Sequence, residues 1–427
     1  MKCQAWCGAI LWAFVLLFLA GPAHAFTLLG KNWTFGPDPL DWPVIPVPEI
    51  ATDPNSGTTV GVLPVLLFTD NNHEIRNILA PDINANTTLG AGGNFRWLSY
   101  PSSNTQWYVV AGASENIYRH VEGDYATGLD HSRWWSFEGH FLFEHDPTER
   151  FFGIGNNSSF SNQTNYTTKQ VYAEAQFGIN LTRRLQIELD EQPRYVRIGH
   201  GAFNLPFIGK LFPTVKGLAG GSDLLNRIFV TYDTRNSITV PTRGALLALF
   251  GGFADRAFMS SNSFTTFGGN ARGYLPVGSR VVLAGNLYAR YVPAGNETPF
   301  WEMSWMGGDG PGVASLQNIP TSNEQTWRGY GAGRFIDNNM VLADFEVRTR
   351  VYEMDLFGTH GILEVAPFVD FGQVFHEVTQ DPIDLTRFHP AGGLAFRGIA
   401  LPFVVGYVDF GYSADGLAIF SGINYPF

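Results

Sequence analysis

The sequence predicts an all-β chain, a 16-stranded antiparallel transmembrane β-barrel with one long loop folded inward. Three observations carry this prediction: a short apolar leader, a two-residue hydrophobic period along most of the chain, and an aromatic C-terminus. No apolar run of eighteen residues follows the leader, so a membrane helix is not expected. A closed barrel can cross a membrane without such a run, because each strand alternates lipid-facing and lumen-facing residues.

Residues 1–25 are typical of a secretory signal peptide. Residues 10–20 are almost entirely apolar, and small residues surround a cleavage point expected after Ala25. This apolar core is too short for a comfortable membrane span. Cleavage would remove the two cysteines, Cys3 and Cys7, so we expect neither a disulfide nor a thiolate metal site. The expected destination is the outer membrane of a Gram-negative cell.

The composition suits a barrel and argues against nucleic acid as a partner. The chain has 27 basic and 38 acidic residues, a formal net charge of −11, and no run of basic residues. Its mean hydropathy of −0.03 would suit a soluble protein. A membrane barrel can have the same mean hydropathy, because outward apolar and inward polar residues average out along each strand.

The chain divides into the leader, a segment at 26–56 and a barrel at 57–427. Six prolines and little pattern make 26–56 a Pro-rich periplasmic lead-in. The connections between strands are alternately short and long, and the long ones include 119–132 and 200–222, 296–338 and 376–387. An even strand count puts both termini in the periplasm. The predicted strands are 58–69, 86–100, 105–118, 133–145, 149–160, 167–181, 183–199, 223–235, 243–254, 262–276, 279–295, 339–354, 361–375, 388–398, 401–412 and 416–427.

Two strands show the alternation clearly. One face of 170–180 is apolar and the other polar, and one face of 341–351 is apolar while the other carries charges. We expect lipid outside the apolar face and a wet lumen inside the charged one. A soluble sandwich would show the same period, but the leader and the aromatic terminus favour the membrane barrel. In 170–180 the apolar face is Val171, Ala173, Ala175, Phe177 and Ile179, and the polar face is Gln170, Tyr172, Glu174, Gln176 and Asn180. In 341–351 the apolar face is Val341, Ala343, Phe345, Val347 and Val351, and the charged face is Asp344, Glu346, Arg348 and Arg350.

The last strand predicts an assembly signal for the barrel-assembly machinery. Gly422, Tyr425 and Phe427 are its main residues, because closing strands of outer-membrane barrels end on an aromatic residue. The period places Leu417, Ile419, Ile423, Tyr425 and Phe427 on one face, with Tyr425 at the level of an interfacial aromatic belt.

The stretch 326–340 carries the most distinctive motif of the chain. It resembles the BamA/TamA-type bacterial surface antigen superfamily, whose sixth extracellular loop carries an aliphatic-Arg-Gly-aromatic motif. Trp327 stands in the aliphatic position, while Arg328, Gly329 and Tyr330 match. Weaker similarities cover roughly residues 57–427, at 151–156, 232–236, 241–244 and 367–372.

The resemblance implies a clasp between the long loop and the barrel wall. In that superfamily the loop folds back into the lumen and its arginine meets acidic residues of the next two strands, which here would be Glu346 and Asp370. A guanidinium can bridge two carboxylates through its planar fork. Gly329 would let the backbone turn tightly and approach the wall. The alternative is a solvated loop arginine above two unrelated lumen acids.

Three functional hypotheses follow. Superfamily members that insert or secrete proteins carry POTRA domains, for which we expect no room here. The first hypothesis is therefore a POTRA-less outer-membrane barrel in transport or envelope assembly, with a lumen gated by 296–338. The second is a non-conducting structural or adaptor barrel that docks a separate periplasmic partner. The third, an interfacial lipid-modifying enzyme, ranks last.

We expect no cofactor, no metal site and no catalytic residue. Gly-x-Ser-x-Gly and His-Glu-x-x-His motifs are missing from the sequence. His140 and His145 lie five residues apart, hence on opposite faces, and His120 and His131 fall in a predicted loop. The expected partners are outer-membrane lipid, the barrel-assembly machinery and a periplasmic protein, but not nucleic acid.

Overall fold

A computed structural model describes residues 25–28, 31–34, 44–53, 55–70, 74–293, 297–308, 321–356, 359–377, 383–400, 404–423 and 425–427. Residues 1–24 of the predicted signal peptide lie outside this part of the chain. A two-stranded hairpin, Ala25–Leu28 with Lys31–Thr34, precedes the barrel. Within the described residues no helix is both long and apolar enough to span a membrane.

The chain folds as a closed, all-antiparallel β-barrel, which confirms the predicted fold class. The described residues form eighteen barrel strands rather than the sixteen predicted, so that count was wrong. One of them, β3, is interrupted, and both of its segments pair with β2 and with β4. The strands are β1 (Val44–Asp53), β2 (Gly57–Thr69), β3 (Ile75–Leu79 and Ile83–Asn86), β4 (Gly90–Ser102), β5 (Thr105–Ser114), β6 (Arg119–Thr127), β7 (Trp135–Phe151), β8 (Thr164–Asn180), β9 (Leu185–His200), β10 (Gly221–Asp233), β11 (Gly244–Ala254), β12 (Phe264–Val277), β13 (Val281–Tyr291), β14 (Asn339–Leu356), β15 (Thr359–Phe375), β16 (His389–Ala400), β17 (Val404–Ser413) and β18 (Gly416–Ile423).

Prolines conceal the first strand in the sequence. β1 lies inside the segment predicted as a lead-in, so the barrel begins before residue 57. It carries Pro46 and Pro48, which cannot donate to a sheet ladder and argue against an interior strand. β1 tolerates them because it pairs fully only with β2 and meets β18 at a single position, Ile419 with Thr52.

Charged inward residues conceal another strand. β6 occupies most of the predicted loop 119–132, and its polar residues His120, Glu122 and Asp124 face the interior. The predicted strand 149–160 does not exist. Its first residues are the end of β7, which continues past Pro147 through an irregularity between Asp146 and Glu149. The gap at 146–148 between the two predicted strands is that irregularity.

Both ends of the barrel domain lie at one mouth, because an even number of antiparallel strands returns the chain to its starting side. The longer connections lie at the opposite mouth and include 152–163, 201–220, 255–263, 292–338 and 376–388. They contain short helical turns at Phe160–Asn162, Ile208–Leu211, Arg256–Phe258, Phe300–Glu302 and Leu385–Arg387.

The two faces of the wall differ as the period predicts. Phe141, Phe177 and Leu249 are exposed on the outer surface, while the inward residues Gln176 and Glu346 are buried. The interior is packed rather than wet at the level of the long loop, where loop and wall side chains share one buried apolar cluster. Its members are Phe229, Ala248, Phe250, Tyr288, Met306, Trp327, Tyr330, Phe335, Met340, Leu342, Val374 and Ala391.

Candidate functional site: an arginine network inside the barrel

The long connection between β13 and β14 folds into the barrel and carries its own small sheet. Ser304–Met306 pairs with Glu324–Gln325 on one side and with Phe335–Asp337 on the other. Between these strands, the amide of Tyr330 donates to the carbonyl of Trp327 at 3.3 Å, which closes a tight turn around Arg328 and Gly329. The motif is therefore presented by an ordered segment.

Aromatic packing fixes this turn against the wall. Trp327 is fully buried, with ring centroids 4.6 Å from Tyr330, 5.4 Å from Phe335 and 6.0 Å from His389. The Tyr330 hydroxyl donates to the carbonyl of Pro390 at 3.3 Å. An indole in the position of a smaller aliphatic residue fits here because three aromatic rings surround it.

Arg328 contacts both acidic residues that the motif implicates. Its Nε and Nη2 donate to the two carboxylate oxygens of Asp370 at 2.8 and 2.6 Å, and its backbone amide donates to the same group at 3.1 Å. Its Nη1 lies 2.5 Å from Oε1 of Glu346 and 3.4 Å from Oδ2 of Asp409. The guanidinium also stacks 3.6 Å from the ring centroid of Phe368.

This guanidinium stays charged despite its burial. Burial alone would lower the pKa of Arg328, but Asp370 and Glu346 outweigh it and hold that pKa well above its ordinary value. A permanently charged, fork-shaped donor between two carboxylates is a strong charge-assisted arrangement.

Glu346 is the centre of a larger network, because three arginines donate to it. Besides Arg328, Arg348 donates from Nε at 2.7 Å, and Arg397 donates from Nη2 and Nη1 at 2.6 and 3.0 Å. Arg397 also reaches Oε1 of Glu364 at 3.3 Å. All of these side chains are buried inside the barrel.

Comparison with known proteins agrees with this architecture. The model of the Omp85 superfamily domain matches residues 106–418. The chain belongs to the Omp85 superfamily. Members of this superfamily are transporters or assembly factors of Gram-negative outer membranes. On the predicted orientation, the mouth that carries the ends of the barrel is periplasmic, and the long loops are extracellular.

Two solved structures are similar to this Omp85 barrel at low identity. BamA from Haemophilus ducreyi lacking POTRA domains 1–3 is 14% identical, with a TM-score of 0.49 over 89% of this chain and 74% of that one. CdiB from Escherichia coli is 12% identical, with a TM-score of 0.44 over 95% of this chain and 67% of that one. No curated protein matches the sequence.

The C-terminal aromatic residues of this Omp85 barrel point inward, contrary to the predicted outward belt. Leu417 is exposed on the outer wall, whereas Tyr425 and Phe427 are buried. The Tyr425 hydroxyl donates to both carboxylate oxygens of Glu364 at 3.2 Å, and Arg348 donates to the carbonyl of Phe427 at 3.2 Å. The alternation of β18 therefore does not continue to the terminus, and the tail joins the arginine network.

Gly422 lies within β18 opposite Tyr407 of β17. A Cβ on Gly422 would come within 2.6 Å of the Tyr407 hydroxyl oxygen. The glycine thus leaves room for this tyrosine.

Two glycines allow the loop and the wall to touch through their backbones. Gly329 has a φ of +102°, in the region that favours glycine. A Cβ on Gly411 of β17 would lie 2.6 Å from the Gly329 nitrogen and 2.9 Å from the Arg328 carbonyl carbon. The Ser413 hydroxyl donates to the Gly329 carbonyl at 2.6 Å.

We expect Gly411→Ala to displace the loop from the wall. The obstructing atoms are backbone atoms, so the clash is not relieved by a rotamer change, and overpacking of this kind costs about 1–3 kcal/mol. Proteolysis of the loop in the folded protein should become faster. Gly406→Ala on the same strand is the control, because its Cβ would meet nothing within 4 Å. Equal cleavage of the two variants would contradict the contact.

The predicted places of the histidines are only partly right. His120 lies in β6 rather than in a loop, and it faces the interior with His140, while His145 faces outward. His140 contacts Asp124 at 3.3 Å, and His120 contacts Glu122 at 3.0 Å. Within the described residues, no group of three or more His, Cys, Asp or Glu side chains could hold a metal ion.

Sequence reasoning missed several members of the network. Asp409 and Arg397 contact Arg328 or Glu346 but lie in no motif, and Phe368, which stacks on Arg328, lies in the similar stretch 367–372 but was assigned no role. Arg348 was assigned to the inward face without a partner. The only available signal was charge on inward positions of β14 to β17, which identifies candidates without pairing them.

Proposed function

We propose that this Omp85 barrel acts in transport or envelope assembly across the outer membrane, and that residues 296–338 gate its lumen. The observation that carries the proposal is the buried contact of Arg328 with Glu346 and Asp370. A loop held by charged contacts to two strands can be released by changes at a single point. The charged network thus supplies a defined closed state.

The size of the barrel supports a gate rather than a solid core. Barrels of 16–18 strands are wide enough for an aqueous channel unless loops fill them. Here three wall arginines hold the loop by its carbonyls, in addition to the clasp. Arg194 donates to Trp301 at 2.8 Å, Arg227 to Thr321 at 2.6 Å, and Arg290 to Glu302 at 2.9 Å.

A second constriction supports gating at the periplasmic mouth. In the connection 234–243, Val240 is buried against Ile362, Ile399 and the C-terminal Tyr425. This connection therefore reaches the opposite wall and the tail. A cavity of about 680 Å³ remains beside it, lined by periplasmic turns and by residues such as Arg76, His131 and Arg235.

Planar-bilayer recording tests the gate. Wild-type protein should conduct little, and replacing 296–338 by a short Gly-Ser linker should give a steady, much larger conductance, because the deletion removes the loop that fills the lumen. Arg280→Ala, a change at an exposed periplasmic turn, serves as the control for preparation and insertion. Equal conductance of the wild type and the deletion would refute gating by this loop.

A second candidate function is a non-conducting adaptor that works through its lateral seam. It is favoured by the closure between β1 and β18, where Ile419 and Thr52 form the one paired position among the described residues. The amide of Ile419 donates to the Thr52 hydroxyl at 3.2 Å. Lack of current from both the wild type and the deletion would favour this adaptor, which docks a separate periplasmic partner.

We further propose that the protein is not an enzyme and that Gly422, Tyr425 and Phe427 serve as the assembly signal. Since Tyr425 and Phe427 are buried in the finished barrel, the assembly machinery would bind them before the tail folds inward. The signal and the finished contact then use the same side chains at different stages.

A further inference from the structure

Four basic side chains lie side by side on the outer wall of the barrel, near its extracellular end. Arg119 on β6 is the direct cross-strand partner of His145 on β7. His145 is in turn opposite Lys169 on β8, and Lys169 is opposite Arg197 on β9. Neighbouring strands are about 4.8 Å apart, so this basic row is about 14 Å long. The four residues are far apart in sequence, and only the register assembles them.

The basic row adjoins an apolar row that faces outward. The apolar row consists of Val121, Phe143, Val171 and Tyr195, which are also direct cross-strand partners. Each lies on the same strand as one basic residue, two positions closer to the periplasm. Their side chains are 41–43% exposed on the outer wall. In an outer-membrane barrel this surface meets acyl chains.

The height of the basic row along the barrel axis places it at the outer membrane–water interface. Ile187, at the periplasmic end of the apolar band, precedes Arg197 by ten positions on β9. At about 3.3 Å per residue and a tilt of about 40°, these positions differ in height by about 25 Å, the thickness of an outer-membrane apolar band. Glu191 interrupts the band on β9, but the row below Arg197 is apolar.

The protein does not neutralise this row itself. None of the four side chains forms an ion pair within the part of the chain that the structure describes. Arg119 donates to the carbonyls of Ser114 and Tyr118 at 2.6 and 2.5 Å, and Arg197 donates to the Tyr195 hydroxyl. Like charges directly opposite each other destabilise a sheet, so an anion from outside the protein would stabilise this arrangement.

We propose that the basic row binds the phosphate groups of the phosphorylated glycolipid of the outer leaflet, with its acyl chains on the apolar row below. Charge complementarity identifies the headgroup, since arginine and lysine both bind phosphate and the row sits where lipid headgroups lie. The adjacent apolar side chains favour a lipid over a soluble anion. This site goes beyond the gating function and does not depend on it.

Binding of purified lipid A to the full-length protein in detergent tests the site. The double variant Lys169→Gln/Arg197→Gln should bind bisphosphorylated lipid A roughly 30-fold more weakly, the effect of removing two cations near an anionic lipid surface. Arg183→Gln/Arg184→Gln, at an exposed periplasmic turn, is the matched control and should bind like the wild type. Native mass spectrometry of the complexes gives the affinities, and unchanged gel mobility of unheated samples shows that both variants are folded.

Two further ligands distinguish the sources of phosphate. Dephosphorylated lipid A should bind the wild type as weakly as bisphosphorylated lipid A binds the double variant. Inorganic phosphate should not compete at millimolar concentration. Equal binding of both lipid A forms, competition by phosphate, or unchanged binding by the double variant would each overturn the proposal.

Discussion

Replacing Arg328 by alanine is expected to lower the free energy of unfolding by about 3–5 kcal/mol, because it leaves a buried carboxylate without its counterion. Asp370 loses both hydrogen bonds to the guanidinium, at 2.8 and 2.6 Å, and keeps the one from the backbone amide of residue 328. Its direct cross-strand partner is another acid, Asp344, which cannot compensate it. Glu346 is affected less, since Arg348 and Arg397 remain.

Heat-modifiable gel mobility and urea unfolding in detergent measure this loss. Arg328→Lys should fall between the wild type and Arg328→Ala, because an ammonium keeps the charge but cannot bridge Asp370 and Glu346 with a planar fork. Arg280→Ala is the matched loss of an exposed arginine. If Arg328→Ala unfolded at the same midpoint as Arg280→Ala, the network would not stabilise the folded loop.

The clasp residues could be selected from the sequence because two signals coincide on them. The motif singled out Arg328, and the two-residue period put Glu346 on the inward face of its strand. The structure brings these residues together with Asp370. The pairing itself came from the resemblance to the superfamily, and it involves strands β14 and β15, which directly follow the loop and pair with each other.

The rest of the network could not be predicted, because it depends on contacts between distant segments. Arg397 meets Glu346 across β15, and Asp409 approaches Arg328 from β17. No local sequence pattern indicates which inward charged residues of the four strands β14 to β17 lie at the same level along the barrel axis. The basic row on the outer wall is a second example, because four separate strands contribute one residue each.

The strand count and the C-terminus failed for a different reason, namely tertiary context that overrides local pattern. The prolines of β1 suit a strand with one well-paired neighbour, which the sequence does not reveal. The period of β18 was extrapolated to Phe427, but Tyr425 and Phe427 are drawn inward by the cations of the lumen. The Arg348 guanidinium lies 4.0 Å from the ring centroid of Tyr425 and 5.1 Å from that of Phe427.

Replacing Glu346 by glutamine is expected to destabilise the barrel by about 5 kcal/mol, at the upper end of the range for a broken buried ion pair. The amide has nearly the same shape, so the effect reports charge rather than packing. Three guanidiniums lose their shared anion together, although Arg328 keeps Asp370 at 2.6 Å and Arg397 keeps Glu364 at 3.3 Å. The loop should also become accessible to protease, because Arg328 would retain mainly Asp370.

A double-mutant cycle separates the direct contact from the shared network. If Arg328 and Glu346 interact as their 2.5 Å contact indicates, the double variant should lose less stability than the sum of the single variants, by about 0.5–3 kcal/mol. Glu353→Gln, an exposed change on the same strand, controls for the loss of one negative charge. If the losses of unfolding free energy in the two single variants simply added up in the double variant, Glu346 would be stabilised by Arg348 and Arg397 rather than by Arg328. In that case Arg328 itself would be held mainly through Asp370.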